Sequence, residues 1–319
     1  MLSASVARRY YLDGRSKTDI AEEFRLTRFK VARLLDAARE SGLVRIEIGH
    51  PGEVDTDLSA RLRTTLALRH AVVVAAPDED DPPVAPDSAA GRAVRKRVGA
   101  TAAELLAELV EPDDVLGLGW ARTVGAMAAA LTRLPPVPVV QLTGALWPSG
   151  AHDPDAGDST IDVVRRVARL AGGPAAFFHS PLVVPDAATA RALRRQPDVT
   201  SAFARFDAIT VAVVGIGRWA PGQSTMHDAL PEADRRRVAE HGVCGDVCGI
   251  GITPDGATPA TALTERMIAM SADQLRAVPT VIGLAYGAAK APAVRASVLS
   301  GMVDVLVADA PLARALLDG

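Results

Sequence analysis

The chain has 319 residues, 49% of them hydrophobic and 23% charged, with a net charge of −3. That is ordinary globular composition at a length that suits two domains, and it excludes a collagen-like or disordered chain. The weakly acidic balance excludes a protein that coats nucleic acid over its whole surface, two cysteines exclude a disulfide scaffold, and no apolar run reaches the roughly 18 residues of a membrane helix.

The first expected helix runs from Leu2 to Leu12 and ends at Asp13-Gly14. Arg8, Arg9 and Asp13 interrupt any apolar stretch, so this start does not read as a signal peptide, and a cytoplasmic location is expected. Residues Lys17 to Leu35 then read as two short helices about a tight turn. In the first, from Thr18 to Phe24, Ile20, Ala21 and Phe24 share a face. Thr27 is placed to cap the second, along which Val31, Leu34, Leu35 and Ala38 form one stripe. Arg28, Lys30 and Arg33 fall off that stripe, as a helix entering a major groove requires. Arg25 at the turn is expected in a left-handed or bridge conformation, where a non-glycine residue costs about 1–2 kcal/mol. The alternating run Leu43 to Ile48 follows Ser41-Gly42 and completes a winged helix-turn-helix layout over residues 1–50. Thr18, Thr27, Arg28, Phe29, Lys30 and Arg33 are its candidate DNA-binding residues.

This head holds ten Lys and Arg against seven Asp and Glu, +3, which leaves −6 for the remainder. So small an excess gives few phosphate contacts, and paired heads on two half-sites are expected. His50-Pro51-Gly52 breaks the wing and opens a linker, taken as 51–57. The rest, 58–319, reads as one domain. It opens with a helix from Leu58 to Leu68, a strand from Ala71 to Ala75, an acidic, proline-rich loop from Pro77 to Pro86 and a long helix from Ala89 to Val110.

From Asp113 onward short apolar runs alternate with helical stretches. The runs are Val115–Gly119, Val137–Leu142, Ala175–Phe178, Ala208–Val214, Val247–Ile252, Val278–Ala285 and Val303–Val307. Helices fit between and after them at Thr123–Arg133, Ser159–Leu170, Asp186–Gln196, Glu232–His241, Lys290–Ser300 and Ala310–Leu317. Strands without polar alternation, spaced by helices, indicate an α/β fold with a doubly wound, mostly parallel sheet. Ligands of such sheets lie beyond the carboxyl ends of the strands.

Those ends are rich in glycine. Gly117, Gly119, Trp120, Arg122 and Thr123 lie where a strand turns into a helix whose N-terminus favours anions. The turn lacks the Gly-Lys-Ser/Thr ending of a P-loop and the third glycine of a dinucleotide fingerprint. Gln141, Thr143 and Gly144 end the next strand, His179-Ser180-Pro181 another, and Gly215, Gly217 and Arg218 a third, with Gly245–Gly249 and Gly287–Lys290 completing the set. Trp120, Trp147 and Trp219 all follow expected strands, where a ring can stack on the apolar face of a sugar. Cys244 and Cys248, with His241 nearby, supply too few ligands for tetrahedral zinc. No metal and no cofactor are expected.

The pieces Tyr10–Gly14, Asp19-Ile20-Ala21, Thr27–Val31, Arg33-Leu34-Leu35 and Ala38–Val44 resemble the SorC family of sugar-responsive bacterial transcription regulators. Where that family usually has glycine, serine and proline at positions 25, 27 and 29, this chain has Arg25, Thr27 and Phe29. Gly117–Thr123, Gly215-Ile216-Gly217, Gly245–Gly249 and Lys290 resemble the family's effector domain, which is similar in fold to glucosamine-6-phosphate deaminase and ribose-5-phosphate isomerase. The resemblance covers nearly the whole chain. It implies that Asp246 accepts sugar hydroxyls, that Lys290 pairs with the effector, and that the protein is a homodimer or homotetramer. Its partners would be operator DNA and a sugar or sugar phosphate, with no membrane and no catalysis. Ala308-Asp309-Ala310 stands where the family usually has Thr-Asp-Glu. The alternative is a sugar-phosphate isomerase or deaminase with an appended head, using Asp246, His179 or His227 for proton transfer.

Overall fold

A computed structural model describes residues 2–44, 54–75, 88–146 and 159–319 of the chain. The chain divides into two compact units, Met1–Gly52 and Glu53–Gly319. The expected loop at Pro77–Pro86, Trp147 and most of the expected wing lie outside the described residues. Of the wing, Leu43 and Val44 form a bend, and the Val44 amide donates to the Ala38 carbonyl.

The head is built from α1 (Leu2–Tyr11), α2 (Lys17–Glu23) and α3 (Arg28–Glu40). Helix α2 starts one residue earlier than its periodicity suggests, because Ser16 caps it in a reciprocal box with Asp19. Thr27 caps α3 by accepting from the Lys30 amide. Val6, Ala7, Ile20, Ala21, Val31, Leu35 and Ala38 close a small core, with Phe24 and Leu34 packed at its edge. Arg25 has φ +54°, so the turn between α2 and α3 does use the left-handed region.

In the second unit, Asp55 caps α4 (Thr56–Thr65), and Val54 bridges Val74 at the end of β1 (His70–Val74). Residues 54–57 therefore belong to the body and not to a linker. The chain continues through α5 (Ala89–Leu109), β2 (Leu116–Leu118), α6 (Arg122–Ala130), β3 (Val139–Gln141), α7 (Thr160–Ala171) and β4 (Ala175–Ala176). Next come α8 (Ala187–Arg194), α9 (Pro197–Phe203), β5 (Val211–Arg218), α10 (Thr225–Ala229) and α11 (Glu232–Glu240). The chain ends with β6 (Gly245–Val247), β7 (Ile250–Ile252), α12 (Ala272–Ala277), β8 (Thr280–Leu284), α13 (Ala291–Leu299), β9 (Val305–Asp309) and α14 (Ala310–Leu317).

The main sheet is parallel throughout, in the order β1-β9-β8-β5-β2-β3-β4. Side chains of β5 point alternately to its two faces. Val211 and Val213 join Val98, Leu106, Met127 and Val164 from α5, α6 and α7, while Ala212 and Val214 join Leu62, Val294 and Leu312 from α4, α13 and α14. Apolar burial on both faces is what makes the inner strands read as solid hydrophobic runs, while the edge strands β1 and β4 are partly exposed.

Two further expectations need correction. The run 247–252 is no strand of this sheet. It is the turn and second arm of an antiparallel hairpin, β6–β7, closed by Cys248 at φ +52° and Gly249 at φ +79°. Positive φ at both central residues is the two-residue turn that matches strand twist. The hairpin hangs from β5, whose first five residues lie in the sheet and whose last three leave it to pair with β6. Secondly, the helix expected to run from Asp186 to Gln196 stops at Arg194, and Pro197 opens α9 as its first residue.

A satellite core of Leu182, Met226, Leu230, Val238, Leu263 and Met267 packs beside the hairpin. It is fastened by Arg266, whose guanidinium donates to both oxygens of Asp234 at 3.0–3.1 Å and to the Val184 carbonyl at 2.9 Å.

Arg25→Gly relieves left-handed strain at a greater gain than its cost in unfolded-chain entropy, so the head should gain about 1 kcal/mol. Slower amide hydrogen exchange in α2 and α3 is the measurement that checks it.

Candidate effector cleft and nucleic-acid interface

From β2 the chain runs outward through β3 to β4, while from β5 it runs the other way through β8 to β9. The adjacent carboxyl ends of β2 and β5 therefore bound a crevice, the place where open α/β sheets bind ligands. A cleft of about 660 Å³, counted to its open mouth, lies there. Trp120 to Thr123 line it after β2, Gly215 to Gly217 along β5, and Gly222 to Met226 from the loop beyond. Asp246, Cys248 and Gly249 reach it from the hairpin, and Tyr286 and Lys290 from the segment after β8.

Three glycines permit this convergence. A Cβ on Gly215 would stand 2.3 Å from the Ala121 Cβ, so its absence lets the start of α6 press against β5. A Cβ on Gly217 would stand 2.4 Å from Asp246 Oδ1 and 2.8 Å from the Ser224 Cβ. At Gly119 it would meet the Cys248 Sγ at 2.7 Å. Helix α6 has Ala121 at its cap position with no side-chain cap, so the amides of its first turn are not engaged by one.

Burial acts on two charged groups of the cleft, Asp246 and Lys290. Asp246 is 7% exposed and accepts from the Ser224 hydroxyl at 2.6 Å. Burial raises its pKa, although the Ser224 bond and the Lys290 charge oppose that. The Lys290 amine donates to the Ile216 carbonyl at 2.8 Å and lies 5.5 Å from the centre of the Tyr286 ring. Burial pushes it down to about 8; the charge of Asp246 opposes this, Arg122 adds to it and Asp309 opposes it again. Both partners thus move toward their neutral forms, which means desolvation outweighs their attraction. Cys248 is pushed up to about 12 by burial and by the Asp246 charge, and stays a thiol. The Thr143 hydroxyl is buried without a hydrogen-bond partner at a residue that lines the cleft.

In the head, Thr18, Thr27, Arg28, Phe29, Lys30 and Arg33 are all exposed, with Phe29 at 83%. The cations stand off the buried stripe, as α3 requires if its outer face is to meet DNA.

Residues 50–318 match the family model described as "Putative sugar-binding domain". The chain belongs to this SorC-type sugar-binding family. It is 28% identical to the transcriptional regulator LsrR of Klebsiella pneumoniae, over 99% of this chain and 92% of that one. It is 27% identical to YjhU of Escherichia coli K12, an uncharacterized transcriptional regulator, over 97% and 92%. The fold matches the full-length sorbitol operon regulator SorC of Klebsiella pneumoniae with a TM-score of 0.71 at 22% identity, covering 99% of this chain and 98% of that one. A domain of "a possible sugar-binding transcriptional regulator" from Arthrobacter aurescens TC1 matches with a TM-score of 0.70 at 25% identity, over 84% and 100%.

In this SorC-type chain, Trp120, Arg122, Thr123, Thr143, Gly215, Gly217, Asp246 and Lys290 come together at the cleft. The five other residues expected to bind the effector do not line it. Gly117 lies within β2, where a Cβ would strike Leu142 at 2.8 Å, and Gly119 makes room for Cys248. Gln141 is fully buried, donating to the Thr143 carbonyl and accepting from the Phe178 amide, so its amide is spoken for. Gly144 packs on Pro181, and the exposed Arg218 pairs through its backbone with Gly245. Trp219 donates to the Arg235 carbonyl and packs edge-on against His227, outside the cleft lining. His179 is exposed, 4.0 Å from Asp198, and His227 is bonded to Asp228; neither lines the cleft. Asp309 caps α14 and holds the Gly287 amide. Cys244 and Cys248 are free thiols, and no metal-holding cluster occurs among the described residues. Ser224 was missed, although a serine after Pro221-Gly222 is a legible helix cap.

Because Lys290 is depressed in the folded protein, its unfolded form holds more protons between pH 8 and 10.5. Stability relative to a Lys290→Met variant should therefore rise through that window. Urea midpoints of the two proteins across pH 7 to 10.5 give the slope.

Proposed function

We propose that this protein is a DNA-binding transcription regulator whose operator affinity is controlled by a sugar or sugar phosphate in the cleft. The observation that carries the reading is a polar, desolvated cleft at the chain reversal between β2 and β5, on a chain whose other unit exposes the cations of a helix-turn-helix. Arg122, Lys290 and the first turn of α6 are the groups for an anionic end. Asp246 and Thr143 are the groups for hydroxyls, and Trp120 offers an apolar face. Gly215 and Gly217 act by admitting the neighbours that line the cleft. Sensing is favoured over turnover because the full-length relatives are named as transcriptional regulators and because the candidate histidines lie outside the cleft lining. Two or four copies would carry their heads to paired half-sites in cytoplasmic operator DNA, the effector favouring one arrangement of copies over another.

A screen of sugars, polyols and their phosphates should find a ligand that raises the melting temperature and shifts affinity for a duplex selected from randomised DNA by tenfold or more. Asp246→Asn should lose that response while still binding the duplex. Identical affinity with and without every compound that raises the melting temperature would refute the reading. For a phosphorylated ligand, affinity should fall as pH rises above about 8, where the Lys290 ammonium is lost and binding has to take up a proton. Titration calorimetry in buffers of different ionisation enthalpy reads that proton.

A further inference from the structure

We propose that Phe29 reads the methyl group of one thymine in each operator half-site; the inference rests on the reading of the head as a DNA binder. Phe29 is 83% exposed, more than any other large hydrophobic residue among those described. It is the second residue of α3, in the turn from which the second helix of such a pair reaches base edges. At 100° per residue, Phe29 and Arg33 stand one turn apart on the side opposite Val31, Leu35 and Ala38, which are buried. Phe29 is thus aimed where the groove floor would lie, with Arg28 and Lys30 on its flanks. The segment Arg28 to Leu35 carries no acid, and the first acid beyond it, Asp36, is paired with Arg39 on the same helix. The surroundings of the ring therefore suit a polyanion.

A benzyl side chain has no donor and no acceptor. It cannot read the N7, O6 or N6 groups of purines or the amine of cytosine. The apolar feature that the major groove offers it is the thymine 5-methyl. Contact there removes water from the ring and the methyl together, which an exposed ring cannot achieve within the head.

The test uses the full chain and a duplex selected from a randomised pool, with each thymine replaced in turn by deoxyuridine, which lacks only the methyl. At one thymine per half-site the replacement should weaken binding about fourfold, the worth of one buried methyl group. Phe29→Ala should bind the methylated and unmethylated duplexes alike and select a pool without preference at that position, and Phe29→Leu should keep part of the preference. The ring is no part of the head core, so an unchanged melting curve is expected for both variants. Wild type indifferent to every deoxyuridine, or Phe29→Ala with the full methyl dependence, overturns the proposal. Lys30→Ala and Arg33→Ala separate it from the reading beneath it. If these weaken binding to all duplexes and lower its salt dependence while no methyl effect is found, Phe29 alone is misassigned. If no sequence is enriched and neither lysine nor arginine matters, the head is no DNA reader and both fall.

Discussion

The body of this protein depends on backbone approaches too close for any side chain. The start of α6 lies on β5 because Gly215 has no Cβ, and the Asp246–Ser224 contact lies over the same strand because Gly217 has none. These approaches bring three separate segments to one end of the sheet: the turn after β2, the hairpin β6–β7 and the loop before α10. Chain topology leaves a gap between β2 and β5; the glycines decide that the gap is lined by charged and polar groups and not filled by packing.

Within that gap local rules are broken repeatedly. Cys248 adopts a left-handed conformation that a glycine would take at no steric cost. Asp246 and Lys290 are held where burial works against both charges. The Thr143 hydroxyl is buried without a partner. Strain, desolvated charge and unmet hydrogen bonds gathered in one place are the mark of a site shaped for something other than stability. The head, by contrast, obeys its rules closely, with Ser16 and Thr27 capping and a continuous apolar stripe, and Arg25 is its strained exception.

Much of this was legible in the sequence. Both-face burial leaves the inner strands β2, β3, β5, β8 and β9 as unbroken apolar runs that could be read from hydrophobicity alone, and the partly exposed edge strands β1 and β4 from short apolar runs beside helices. The stripe on α3 followed from its spacing. The hairpin was not legible, because Val247-Cys248-Gly249-Ile250 is as apolar as a core strand and a cysteine is no usual residue for such a turn. Helices α10 and α12, at five and six residues, are too short to show a period. For the cleft, the glycine-rich strand ends marked the right end of the sheet but not which glycines face it. Gly117 and Gly144 serve packing, and the difference lies in tertiary neighbours that no local pattern encodes. Ser224 was missed for the same reason: its cap is local, but its bond to Asp246 spans 22 residues.

The bond between the Lys290 amine and the Ile216 carbonyl carries one more consequence. The carbonyl engages one of the three N–H groups of the ammonium and leaves two to donate. An incoming molecule therefore meets a donor already held in place by β5, with less side-chain freedom left to lose when it binds. An oxyanion gains more than a hydroxyl from those N–H groups, because both partners of that bond are charged. The strand thus presets the donor through its main chain, which no exchange of a β5 side chain removes.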